Sequence, residues 1–465
     1  MEETVGIDIG LNDCCVGVWR NGKVYICINE TGERTTPFMI SFTGKDIYVG
    51  IPARNVSERY NKNTIYGIRK LIGKKFNDSE VQNFMKTVPY KIEKDSNNEK
   101  INIIVENNGE IQKYYPEDLY KIILRRLKGY AENFQGVEVR NVVLTIPTYF
   151  NKNQIELIKN QCEVVGFKDI KIIYEPIAAY IAYGFNLNEK RNILVFSMDS
   201  NELDITILKL ENRDFKILAT SHDNFGGDDF TNELLKYTIN DFKETTNIDI
   251  SNNKRAIKRL KRECESAINV LRMEKEYTID IDQLMGDEDY FKEISKSTFK
   301  SSCLNLFDHC IIHIEKALNN SKLNKFDIDN IIFARGSLYF PLLRETVQNF
   351  FDRNIWQSLN SLEIYAYGAT LYGNIKNKLS LGTLYGNIKN KLSLGIDKGD
   401  NIMEIIIPKN FRIPYENSIT FKYYQSSINL KIYEGERKIA KYNKLLGEFP
   451  INLSFRRKKR NKSYI

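Results

Sequence analysis

No apolar run in this 465-residue chain approaches membrane-spanning length, so the sequence carries no candidate transmembrane segment. The opening MEETVGIDIG is acidic and enters a strand at once; it lacks the basic and apolar regions of a secretory signal, and the cytosol is the expected compartment. Seven cysteines (Cys14, Cys15, Cys27, Cys162, Cys264, Cys303 and Cys310) are odd in number and show no CxxC spacing. That argues against a disulfide or zinc framework and makes free buried thiols the expectation. Histidine is scarce, at three residues, and HExxH is absent. His309 and His313 stand four apart in LFDHCIIHIEKAL, a predicted helix, beside Cys310; no third or fourth metal ligand is apparent, so a helix packed on the core is expected. The body is also nearly neutral. Of the formal +8, six charges belong to Arg456, Arg457, Lys458, Lys459, Arg460 and Lys462. Nucleic-acid binding is therefore not implied, apart from weak contacts of a solvated basic tail over 456–465.

Glycine is missing where the pattern would use it most. In Asn192–Leu210, Ile193 and Val195 precede a polar turn, and Leu203, Ile205 and Ile207 follow it in alternation, which predicts a buried hairpin. Its tip, Ser197-Met198-Asp199-Ser200-Asn201-Glu202, has no residue without a Cβ, although backbone amides close on a phosphate only where Cβ atoms are absent. Asp199 and Glu202 bring two like charges instead; at about 4 Å and an effective dielectric of about 20, such a pair costs roughly 4 kcal/mol. A second hairpin opens the chain, with Val5-Gly6-Ile7-Asp8-Ile9-Gly10 leading to Val16-Gly17-Val18-Trp19. Further strands are predicted within Lys23–Phe42, at Asn98–Gln112 around Asn107-Asn108-Gly109, at Val142–Ile146 and at Lys171–Tyr174. Helices are predicted over Tyr115–Phe134, Ala178–Gly184 and Lys254–Leu271.

The two hairpins resemble the phosphate loops of the actin-like ATPase fold. The segments GKVYICINETGERTTPFMISF, RKLIGKKF, VVLTIPTYFNKNQ, IIYEPIAAYIAYG, FGGDDFTNELL, NKRAIKRLKRECESA and IYEGERKIAKYNKLLGEF resemble, in order, the seventy-kilodalton heat-shock chaperone family. The resemblance implies an α/β, two-lobed actin-like ATPase domain over 1–369 (lobe I about 1–188, lobe II about 189–369). A partial all-β peptide-binding domain would follow over 396–455.

It also implies site residues and their roles. Asp8 and Glu175 would hold magnesium through water, Arg69 stands where a lysine acts at the γ-phosphate, and Asp204 is retained beside them as a fourth catalytic position. Arginine at that place keeps the charge but presents a broad planar fork; a basic pair on a solvated turn is the competing reading of Arg69-Lys70. Nucleotide contacts would fall to Gly10, Leu11, Asn12, Gly226, Gly227, Glu265, Ile268, Asn269, Arg272, Gly336, Ser337 and Tyr339. Several depart from the family pattern. Leu11 and Asn12 replace two threonines, Ile268 and Asn269 a lysine and an arginine, and Arg272 a serine. Ser197, Asp199, Ser200, Asn201 and Glu202 replace an aspartate, three glycines and a threonine. Tyr339 would offer a ring to adenine, and Arg335 places a long side chain where backbone should approach the ligand. Expected cofactors are ATP or ADP with magnesium if binding persists, and none otherwise.

Thr370–Gly382, TLYGNIKNKLSLG, is repeated letter for letter as Thr383–Gly395, too few copies for a solenoid. This duplication, over 370–395, stands in place of the acidic interdomain linker. Strands are predicted at Ile402–Ile407, Ile419–Tyr424, Ile428–Tyr433 and Leu445–Phe449, with Phe421, Ile428 and Leu430 near the family's peptide groove. With the remaining strands and the lid missing, unpaired sheet edges are expected. Three functions stay open: a chaperone that couples ATP to capture of unfolded or extended peptides; a non-catalytic regulatory or exchange-factor-like partner of a full-length chaperone; and a decaying paralogue. Co-chaperones are expected partners of the first.

Overall fold

The computed structural model describes residues 4–184, 187–336, 341–353, 355, 359–374, 388–389, 394–397, 402–407, 412–413, 427–435 and 437–452. The chain divides into two compact units, residues 1–213 with 217–379, and residues 214–216 with 380–465.

The first unit contains two mixed sheets with helices packed on them, the α/β, two-lobed arrangement that the resemblance implies. In the first sheet β1 (Val5–Ile9), β2 (Asp13–Arg20), β3 (Lys23–Ile26), β4 (Asn141–Ile146) and β5 (Asp169–Tyr174) run in the order β5-β4-β1-β2-β3, with the short Thr36–Pro37 strand paired to β2. β1, β4 and β5 are parallel neighbours, with Ile7 opposite Leu144 and Ile146 opposite Tyr174. Parallel strands buried on both faces need near-continuous apolar sequence, which VGIDI and NVVLTI supply. Their carboxyl ends deliver Asp8, Thr145 and Glu175 to one edge, where open α/β sheets place ligand groups.

The second sheet is the predicted Asn192–Leu210 hairpin with two additions. It consists of β6 (Arg191–Met198), β7 (Leu203–Glu211), β8 (Asp214–Asp223) and β9 (Asn330–Arg335) in the order β8-β7-β6-β9. β6 and β7 are antiparallel with Ser197 opposite Asp204, and β9 runs parallel to β6 with Met198 opposite Arg335. The register thus sets the last residue of β9 beside the hairpin tip. Phe196 and Phe333 stack at 4.7 Å at the centre of this core, which also holds Phe230, Phe242 and Phe307.

Helices α1 (Pro116–Gln135), α2 (Lys152–Val165), α3 (Glu175–Ala182), α4 (Gly227–Thr246), α5 (Lys254–Val270), α6 (Leu304–Ser321) and α7 (Ile364–Asn374) complete the frame. The sequence places α3 at Ala178, but it begins at Glu175: Pro176 suits the first turn, where its missing N–H is not needed. α7 takes in the first five residues of the first duplicated copy. It lies on β1 and β2, and a Cβ on its Gly368 would stand 1.8 Å from the carbonyl oxygen of Ala178 in α3, so glycine is required by the closeness of the two helices. All seven cysteines are free and buried, as the scattered spacing predicts.

The second unit contains an antiparallel sheet in the order Met403–Ile407, Leu394–Asp397, Ser427–Glu434, Lys444–Asn452. The predicted strand at Ile419–Tyr424 lies outside the described residues, as does Phe421. Ile428 and Leu430 lie on the central Ser427–Glu434 strand. No helix among the described residues is long and apolar enough to cross a membrane.

Candidate functional site

Five charged side chains with scarcely any solvent contact meet where the two sheets present their strand ends. Asp8 is exposed by 1%, Arg69 by 3%, Glu175 by 6%, Arg335 by 7% and Glu202 by 8%. Arg335 Nη1 donates to Asp8 Oδ2 at 2.6 Å, and its Nη2 donates to Asp8 Oδ1 and to Glu175 Oε1, both at 3.1 Å. Arg69 Nη1 donates to Glu175 Oε1 at 2.8 Å, and Arg69 Nη2 lies 3.8 Å from Glu202 Oε2. Two cations thus share three carboxylates. Thr145 Oγ1 donates to Asp8 Oδ1 at 2.5 Å, and Tyr149 Oη donates to Glu202 Oε1 at 3.0 Å.

Burial opposes the charge on both arginines, but Asp8 and Glu175 around Arg335, and Glu175, Tyr149 and Glu202 around Arg69, outweigh it and hold both pKa values above the ordinary range. Burial also pushes the Glu175 and Glu202 carboxyls up, against the pull of Arg69 and Arg335 on Glu175 and of Arg69 on Glu202. With two guanidiniums bonded to Glu175, the carboxylate is the form the geometry requires. Asp13, at the start of β2, has its pKa pushed up to about 6, first by burial and then by the nearby Asp199 charge.

The local backbone explains how Arg335 enters. A Cβ on Gly10 would stand 2.3 Å from Arg335 Nη1, so the bare glycine after β1 is what admits the guanidinium. Arg335 itself has φ +59°, and its guanidinium lies 4.7 Å from the centre of the Tyr365 ring. Opposite, the Gly226-Gly227 turn seats on the hairpin tip. Gly227 N donates to Asp199 O and Asp228 N to Ser200 O, and a Cβ on Gly226 would lie 2.2 Å from Asp199 O.

The structure brings Asp8, Arg69, Glu175 and Glu202 into one network. Arg69 is buried in it, not on a solvated turn, because Glu175 and Glu202 give its charge partners. Asp204 faces the same cleft but pairs with His222, Nδ1 to Oδ1 at 2.8 Å. Asn12 Nδ2 bridges the two hairpins to Asp199 Oδ1 at 3.0 Å. Leu11 and Ile268 are core side chains. Ser197 is buried, Ser200 and Asn201 are half-buried at the tip, Glu265 and Asn269 are exposed, and Arg272 donates to Asn269. Gly336 is half-buried; Ser337 and Tyr339 lie outside the described residues.

Sequence reasoning missed Asp13, Thr145, Tyr149, His222 and Tyr365. The strand end at Pro147 was a usable signal for Tyr149; the others depend on pairing across long chain separations. It also found no third partner for His309 and His313, whereas Asp223, 86 residues upstream of His309, lies against both rings. A cavity of only about 10 Å³ remains in the cleft, lined in part by Glu175, Ser197, Asp204 and Tyr365. That is below the roughly 300–1,000 Å³ of small-molecule sites.

The family model described as Hsp70 protein matches residues 4–455. The chain is similar to heat shock cognate 70 kDa protein 3 of Dictyostelium discoideum, at 35% identity over 96% of this chain and 73% of that protein. It is similar also to the heat shock 70 kDa protein of Emericella nidulans, at 34% identity over 97% and 71%, and to heat shock 70 kDa protein 2 of Paracoccidioides lutzii, at 33% over 97% and 70%. With a family match over nearly its whole length and these identities, the chain belongs to the Hsp70 family.

Proposed function

We propose that this Hsp70-family chain is a chaperone-type binding protein that works without turning over ATP, its cleft held by its own arginine instead of a magnesium–nucleotide complex. The observation that carries this reading is the bridge from Arg335 to Asp8 and Glu175. These are the two carboxylates that the family resemblance assigns to magnesium. Here a guanidinium already neutralises them, and magnesium would have to displace it from three buried, charge-assisted bonds.

Three further features support the same conclusion. The tip Asp199-Ser200-Asn201-Glu202 offers no glycine to cradle phosphate, and Gly226 is committed to packing on it. The free space in the cleft is small. Arg69 is shared between Glu175 and Glu202, which removes the cation expected at the γ-phosphate. Losing one well-placed electrostatic group commonly costs 10²–10³ in rate, so these substitutions together leave little turnover even when their effects are not additive.

The binding partner is then an extended peptide taken by the C-terminal sheet, or a competent chaperone with its co-chaperones, and nucleotide does not control the exchange. The cytosol is the compartment we infer. Phosphate release and fluorescence polarisation with an extended apolar peptide test this. We expect no phosphate release above buffer, and the same peptide affinity with and without magnesium and ATP. An ATP-dependent change in peptide affinity would overturn the reading.

A further inference from the structure

Two of the chain's three histidines converge on one carboxylate, outside the arginine network. His309 and His313 stand one turn apart on α6, so their rings share a face, with centres 4.8 Å apart. Asp223 closes β8 beneath them. Its Oδ2 lies 2.8 Å from His309 Nε2 and 3.2 Å from His313 Nε2, and the three candidate donor atoms all fall within 4.8 Å of one another. The third histidine, His222, pairs with Asp204 and takes no part. Cys310, beside His309 in the sequence, is fully buried in the core.

We propose that Asp223, His309 and His313 form a binding site for a divalent transition-metal ion of the zinc type. Metal–nitrogen and metal–oxygen distances of about 2.0–2.2 Å put tetrahedral ligand atoms about 3.3 Å apart. The Asp223–His313 separation is already there, the Asp223–His309 separation needs to open by about half an ångström, and the two histidine donor atoms, within 4.8 Å of each other, need to draw together. His309 is 38% exposed and free to make that adjustment. Two imidazole nitrogens and one carboxylate suit zinc, cobalt or nickel and not magnesium or calcium, which prefer oxygen. Ser221 Oγ lies 2.8 Å from His313 Nδ1, the outer hydrogen bond that fixes a ligating imidazole so that its Nε2 faces the metal. Asp223 and His309 are each more than a third exposed, which leaves an entry path and at least one open coordination position.

The site has a structural consequence. Asp223 stands two residues before Phe225, whose ring lies 4.7 Å from the His309 ring, and the Gly226-Gly227 turn follows directly. A bound ion ties α6 to the segment that seats on the hairpin tip.

The test uses the full chain, purified without a histidine tag, with zinc alone and cobalt alone. Equilibrium dialysis is expected to give one zinc per chain at micromolar metal, cobalt to give a visible d–d spectrum of low coordination number, and zinc to raise Tm as its concentration rises. His309→Gln and Asp223→Asn, both at partly exposed positions and checked by circular dichroism, are expected to abolish stoichiometric uptake. Ser221→Ala is expected to weaken it about tenfold while keeping the cobalt spectrum. No stoichiometric uptake at micromolar metal, or uptake unchanged in His309→Gln and Asp223→Asn, would overturn the proposal and leave the cluster as a hydrogen-bonded ion pair.

Discussion

Arg335 sits in left-handed backbone, φ +59°, a conformation that is costly for any residue with a Cβ and persists only where the surroundings over-determine it. Asp8 and Glu175 do so here, and removing the guanidinium leaves both carboxylates buried without it. Breaking a buried ion pair from one side costs about 3–5 kcal/mol, so Arg335→Ala is expected to lower unfolding stability by that order in urea. Millimolar magnesium should recover part of the loss by supplying the missing cation, and urea titrations with and without magnesium measure both effects. Asp13 gives a prediction in pH. Its folded pKa, about 6, lies above the ordinary 3.8, so the folded state binds the proton more tightly and this residue's contribution to stability falls as pH rises from about 4 to about 6. Asp13→Asn is therefore expected to be more stable than the parent at pH 7, with the advantage shrinking toward zero by about pH 4 in parallel thermal melts. Neither effect was legible in the sequence. Asp8 and Arg335 are 327 residues apart, and a charge partner at that separation leaves no periodicity or spacing to find. The glycine-free tip Ser197–Glu202 was legible, because a hairpin turn shows its composition directly.

At the scale of elements, the strands and helices that alternate or repeat strongly lie where the pattern puts them, since burial on one face and capping at the ends are local properties. The β6–β7 hairpin, α1 and α5 are examples, with ends shifted by at most two residues. What the sequence does not disclose is which elements touch. α7 crosses α3 at a distance that only Gly368 permits, and nothing around Tyr367-Gly368-Ala369 marks that glycine as different from others in helices. Gly368→Ala is expected to destabilise the chain by about 1–3 kcal/mol, the usual cost of overpacking, or more because the clash is with backbone. Denaturant unfolding checks this; an unchanged midpoint would mean that α7 is not held against α3. The same limit hid Asp223 from His309 and His313, since β8 and α6 are brought together only by the second sheet's core.

For the whole molecule, the Hsp70 frame is kept, while the proposed reading gives its cleft a different chemistry. Apolar patterning over hundreds of residues specifies the two sheets and tolerates many substitutions, so the fold survives at about one-third identity to its relatives. A ligand site rests on a handful of side chains and changes character when a few are replaced. Here Arg335 and Arg69 pair with the buried carboxylates Asp8, Glu175 and Glu202, which is the consistency the proposal rests on. The most direct measurement is calorimetric titration of magnesium–ATP into the parent chain and into Arg335→Gly, which removes the guanidinium and relaxes the left-handed backbone. No heat of binding is expected for the parent at micromolar nucleotide. Saturable micromolar binding by the parent, equal to that of Arg335→Gly, would contradict it.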